Sequence, residues 1–124
     1  GVPAADIADS TPFLIGRTGE ECSYIQHMAK STIQMVTDSI DAYVKQDLLL
    51  AQKVIVDDDI VDDDFTKTKN FLIDMISQNT ADGEYAMDLL MIAKYFERIG
   101  DHAVNIAEWV QFSVTGVHKG EAEL

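Results

Sequence analysis

From Glu20 to Val114 the chain carries no proline, and its only glycines there are Gly83 and Gly100. Hydrophobic positions in this stretch recur every three or four residues without strict alternation, the spacing of helices rather than strands. Ile25, Ala29, Ile33, Val36, Ile40 and Tyr43 form one stripe, the expected core face of a first helix over about residues 21–45. Val54, Val61, Phe65, Thr68 and Leu72 form a second, on a helix over about 47–78. Tyr85, Leu89, Ile92, Phe96, Ile99, Ala103, Ile106 and Val110 form a third, over about 83–115. Gly100 falls inside that last pattern at a cost of about 1 kcal/mol relative to alanine. The periodicity on both sides of it predicts that the helix continues.

The connections are unequal in clarity. Asn79-Thr80-Ala81-Asp82-Gly83 has turn chemistry, with Thr80 and Asp82 as expected N-caps. Nothing comparable separates the first helix from the second, yet a single helix from Glu20 to Gln78 would run to about sixty residues, far past ordinary globular lengths. A bend is therefore expected near Lys45 to Asp47, with Asp47 capping the next helix. Three long helices with short connections predict an all-α fold, an antiparallel three-helix bundle over residues 21–124. A short helical or irregular segment over 1–20 is expected to precede it. Gly1 to Asp9 matches Gly100 to Glu108 at four of nine positions, with two further Asp/Asn or Asp/Glu exchanges. This repeat suggests the tail of a preceding bundle joined to a complete one, although a short alanine-rich stretch can also match by coincidence.

Charge narrows the function. Among 124 residues, 9 are Lys or Arg and 22 are Asp or Glu, a formal net charge of −13. Such a chain lacks the basic footprint that nucleic acid or an anionic lipid surface requires. It suits metal cations or a basic patch on a protein partner. Cys22 is the single cysteine, so no internal disulfide forms. The richest apolar run, Tyr85 to Phe96, is about twelve residues and contains Asp88 and Lys94, which is too short and too charged to insert in a membrane. Gly1 to Asp9 does not read as a secretory leader, and a cytoplasmic location is expected.

Two acidic clusters carry the candidate chemistry. At 100° per residue, Glu97, Asp101, Asn105 and Glu108 fall within an arc of about 80° on the third helix, opposite its apolar stripe. On the second helix Asp57, Asp58, Asp59, Asp62, Asp63 and Asp64 place six aspartates within eight residues. Acids four apart on a helix repel by about 0.2–0.5 kcal/mol per pair, so this segment should fray without counter-charge. Asp58 and Asp62 border the apolar stripe. If the third helix is their neighbour, Asp58, Asp62, Glu97 and Asp101 converge into a hard, oxygen-rich set suited to Mg²⁺, Mn²⁺, Ca²⁺ or bridged iron. The alternative is that both clusters are solvated acidic faces that maintain solubility. His102, beside Asp101, reads as either a supporting group or a surface histidine. Tyr95, Phe96 and Trp109 read as core aromatics, and Cys22 as a structural thiol. The run lacks the glycine of a calcium loop, and there is no Glu-x-x-His, phosphate-cradling glycine loop or nucleophile elbow.

The segment Tyr95-Phe-Glu-Arg-Ile-Gly-Asp-His-Ala-Val-Asn-Ile-Ala-Glu-Trp109 resembles the signature of the PhoU family, regulators built from two similar three-helix bundles. The resemblance extends through Ala51 to Phe65, where Asp58 and Asp62 match aspartates four apart. Glu97 and Asp101 match the third-helix pair, and Asn105 the asparagine that follows. The opening segment is similar to the end of the family's first bundle, with Val2 where an aspartate belongs. The resemblance implies metal ligation by Asp58, Asp62, Glu97 and Asp101; Asn105 in that pattern, His102 beside Asp101 and Arg98 flanking the acidic ridge are the expected supporting residues. Iron, zinc, magnesium or manganese are the ions implied. It further implies a regulator rather than an enzyme, an adaptor between the phosphate ABC transporter ATPase and a sensor histidine kinase that keeps the phosphate-starvation response off. Homodimers or larger assemblies are implied as well. A PhoU-like accessory domain of a sodium–phosphate cotransporter or ion-channel system shares the same pattern. A metal-dependent enzyme would need a base or nucleophile beside the acids, where only His102 stands.

Overall fold

A computed structural model describes residues 19–116; the expected segment over 1–20 and its repeat-like opening lie almost wholly outside the described residues. Three helices make up the fold: α1 (Glu20–Lys45), α2 (Leu48–Gln78) and α3 (Gly83–Thr115), with a single 3₁₀ turn at Thr80–Asp82 before α3. Each packs on the other two. His27 of α1 pairs with Asp64 of α2, and Asp38 with Lys53, so these helices run antiparallel. Tyr85 near the start of α3 bonds to Glu21 near the start of α1, and Ser113 near its end bonds to Gln46 just beyond α1, so α1 and α3 run parallel. This is the alternating three-helix bundle that the spacing predicts.

The bend between α1 and α2 is built from side chains that hydropathy does not register. Gln46 adopts a left-handed conformation, φ 54°, ψ 43°, and its N–H donates to the Ala42 and Tyr43 carbonyls. The Ser113 hydroxyl donates to Gln46 Oε1 at 2.9 Å, tying the bend to α3. Asp47 then caps α2 by accepting from the Leu50 N–H at 3.1 Å, as expected of an acidic N-cap. At the second connection the capping side chain is Asn79, whose Oδ1 accepts from the Ala81 N–H at 3.1 Å. Thr80 takes no capping role, because Asn79 caps the 3₁₀ turn from one position earlier, whereas Asp82 stands at the N-cap position of α3 as expected but makes no side-chain capping hydrogen bond.

The core corrects the reading of α1. Ile33, Ile40 and Tyr43 are at least half exposed, and the buried face is instead Ile25, Met28, Thr32, Met35, Ser39 and Ala42. Thr32 and Ser39 enter the core because each hydroxyl donates to a carbonyl one turn back, Thr32 to Met28 and Ser39 to Val36. On α2, Val54, Val61, Thr68 and Leu72 are buried with Phe65 packed beside them; on α3, Tyr85, Leu89, Phe96, Ala103 and Val110 are buried. Trp109, expected in the core, is 55% exposed and stacks on Phe112 with centroids 5.5 Å apart. The positions nearest the bundle axis there go to Ala107 and Val110.

Candidate functional site

The six aspartates of α2 do not act as one cluster. Asp57 is held by Lys53 Nζ at 2.8 Å, which also bridges to the buried Asp38 on α1 at 2.9 Å. Those two hydrogen-bonded carboxylates hold the Lys53 ammonium above its usual pKa. Asp64 is buried and joined to His27 Nδ1 in a short hydrogen bond. Asp59 and Asp63 are exposed. The half-buried Asp58 and the exposed Asp62 remain, on the side toward α3. Division of the run among α1, solvent and α3 removes much of the repulsion that made fraying the expectation, and α2 is continuous.

Gly100 sets the closeness of that seam. A Cβ at this position would lie 3.3 Å from Asp58 Oδ1, 3.7 Å from Val61 Cγ1 and 3.8 Å from Met35 Cε. The missing side chain lets Asp58 lie against the α3 backbone, and Asp58 Oδ1 is fully buried with no hydrogen-bond partner. Burial, reinforced by the charges of Asp62, Asp101, Asp59 and Glu97, pushes the Asp58 carboxyl up to about 6. Partial burial also raises Asp62, followed by repulsion from Glu97 and Asp101. Asp58 and Asp62 on α2 thus each feel the charges of Glu97 and Asp101 on α3.

They do not form a preformed cage. Among the described residues, no three Asp, Glu, His or Cys side chains are gathered so as to hold a metal ion. Glu97 instead accepts from Lys94 Nζ at 2.6 Å, and that ammonium lies 5.3 Å from the Phe65 ring centroid. Arg98, His102 and Asn105 are exposed on α3, and among the described residues no hydrogen bond or ion pair joins them to the four carboxylates. The donor set nonetheless fits a hard cation in kind: every candidate ligand is a carboxylate oxygen, and one is buried and unsatisfied.

Three polar contacts escape the sequence because their partners are remote along the chain. His27–Asp64 spans 37 positions and Tyr85–Glu21 spans 64. Tyr85 also meets the Cys22 thiol at 3.7 Å, and burial, then contact with Cys22 and Glu21, raises its phenol above its ordinary pKa. A groove of about 300 Å³ beside His27 is lined by Lys30, Ser31, Gln34, Asp57 and Ile60. Only the helical register of α1, which brings His27, Ser31 and Gln34 to one side, signals that groove in the sequence.

Fold and seam together define an acidic three-helix-bundle domain with carboxylates aligned where its second and third helices meet. The family model described as "PhoU domain" matches residues 25–110. The chain belongs to the PhoU family. It is 32% identical over 88 residues to a Borreliella burgdorferi protein named phosphate-specific transport system accessory protein PhoU homolog, covering 71% of this chain and 40% of that one. A protein of the same name from Clostridium acetobutylicum is 32% identical over 117 residues, covering 94% of this chain and 53% of that one. One from Caulobacter vibrioides is 36% identical over 92 residues, covering 74% and 40%. The chain thus spans about half or less of the length of these relatives.

Proposed function

We propose that this chain serves phosphate transport as an accessory regulator rather than an enzyme, and that its α2–α3 carboxylate seam binds a divalent or iron-type cation. The observation that carries the reading is the crowding at Asp58, which has a buried, unpartnered carboxylate oxygen and feels the charges of Asp62, Asp101, Asp59 and Glu97. Asp58, Asp62, Glu97 and Asp101 would hold the ion. A bound cation would supply counter-charge beyond the one ammonium, Lys94, that pairs with Glu97. The chain's own part is to keep Asp58 seated against Gly100 and to bring Glu97 and Asp101, one turn apart on α3, alongside it.

Relief of repulsion between α2 and α3 couples occupancy to the relative setting of these helices, and so to the surface offered to partners. We assign those partners to the phosphate ABC transporter ATPase and a sensor histidine kinase, in the cytoplasm, with self-association into a homodimer or larger assembly. Exposed Ile33, Ile40 and Val44 on α1, and Leu49, Val56 and Ile60 on α2, support protein–protein contact. No helix among the described residues is long and apolar enough to cross a membrane.

The test is thermal unfolding with and without Mg²⁺, Mn²⁺ or Zn²⁺. Glu97→Ala combined with Asp101→Ala should retain the helical circular dichroism of the parent and lose cation-induced stabilisation. A double variant that responds like the parent removes the seam as the site.

A further inference from the structure

Lys94 occupies the position from which an external cation would meet Glu97. Its Nζ donates to Glu97 Oε1 at 2.6 Å and lies 5.3 Å from the Phe65 centroid, reaching from α3 toward α2. Among the described residues it is the one basic side chain paired with any of the four seam carboxylates. The Glu97 side chain is 17% exposed and that of Lys94 is 53% exposed. The carboxylate is therefore the fixed member of the pair and the ammonium the one free to swing into water.

We propose that Lys94 is a tethered counter-cation, seated on Glu97 when the seam is empty and released from it when a divalent ion enters, so that it sets the affinity and valence selectivity of the site. The inference rests on the reading of the seam as a cation site. Lys94 sits on Glu97 while Asp58 Oδ1 remains buried and unpaired, and among the described residues no ligand set of three is gathered. One ammonium therefore leaves most of the repulsion in place. A monovalent ion that displaces it exchanges one charge for one charge and gains nothing in Coulomb energy. A divalent ion shared between Glu97 and a neighbouring carboxylate gains a full extra charge at short range, and only such an ion outcompetes the lysine. The Phe65 ring, 5.3 Å from the ammonium, offers it a second seat beside the seam, and the covalent tether makes its return unimolecular.

The experiment is Mn²⁺ titration of the full chain, by calorimetry and by electron paramagnetic resonance of free Mn²⁺, for the parent, Lys94→Met, Glu97→Gln and the double variant. Methionine retains an unbranched side chain of similar length and removes the charge. Lys94→Met is expected to bind Mn²⁺ about 3–10-fold more tightly, the factor expected when an exposed ion pair of up to about 1 kcal/mol no longer has to be broken and a nearby like charge is gone. It should also lower the melting temperature of the metal-free chain and admit competition by K⁺. In the Glu97→Gln background the gain should vanish. Lys94→Gln provides the same readout if the methionine variant folds poorly. Binding by the parent with unchanged or weaker binding by both Lys94 variants overturns the role of Lys94 and leaves the seam site standing. Absence of Mn²⁺ binding in every form overturns both.

Discussion

Replacement of Asp58 by asparagine removes the charge that the seam accommodates worst while keeping the size of the side chain. In the folded chain this carboxyl titrates at about 6, against 3.8 for an unperturbed aspartate. At 1.36 kcal/mol per unit, the difference corresponds to about 3 kcal/mol of unfavourable interaction at neutral pH. The residue is only partly withdrawn from water, and solvent screening reduces the expected effect to about 1–1.5 kcal/mol. The folded state holds the Asp58 proton more tightly than the unfolded state. This group's contribution to stability is therefore greatest in acid, falls as pH rises from about 4 to about 6, and is level above that. Urea unfolding of parent and Asp58→Asn in the presence of a chelator, at pH 4, 5, 6 and 7, reads this directly. At pH 7 the variant should be more stable by about 1 kcal/mol, about 4–8 °C in melting temperature for a domain near this size. At pH 4 the gap should shrink to within about 0.5 kcal/mol. Excess Mn²⁺ should reverse the order, because the parent gains a ligand-bound state and the variant loses a ligand. A variant less stable than the parent at pH 7, or a gap that ignores pH, would refute the argument that buried charge at Asp58 strains the seam.

Gly100→Ala sets a helix-propensity gain of about 1 kcal/mol against a Cβ placed 3.3 Å from Asp58 Oδ1. The net change in urea stability should stay within about 0.5 kcal/mol, while the Mn²⁺ response weakens because Asp58 is pushed from its seat. His27→Ala strands the buried Asp64 without its partner and should cost about 2–3 kcal/mol in chemical denaturation. His27→Gln, which can still donate to that carboxylate, should recover part of the loss, and equal losses in both would show that the hydrogen bond contributes nothing.

The helices are legible in the sequence because proline is absent between Glu20 and Val114, glycine stands there only at 83 and 100, and each connection carries capping chemistry. Asp47 was readable as a cap from its type and place, whereas Asn79 was masked by the better-known capping residues that follow it. The face of α1 misleads for a physical reason. Two of its three isoleucines, Ile33 and Ile40, are exposed, while beyond Ile25 the core is filled by flexible Met28 and Met35 and by hydroxyls satisfied within their own helix. Hydropathy ranks those candidates in the wrong order. The acidic residues of the seam stand out by spacing alone, but their surroundings do not. Lys94 meets Glu97 within one helix, at i,i+3 spacing, but that its ammonium would lie by Phe65, that Asp58 would lie on Gly100, and that Asp64 would leave the run to meet His27 all depend on how three helices rotate against one another. Rotation follows from packing of the whole bundle, which no single helix encodes.

The most direct test of the account is anomalous scattering from crystals of the chain soaked in Mn²⁺. The account predicts a manganese peak on the α2–α3 seam, within ligand distance of carboxylate oxygens drawn from Asp58, Asp62, Glu97 and Asp101. A seam without a peak at saturating Mn²⁺, or a peak held by other residues alone, would contradict it.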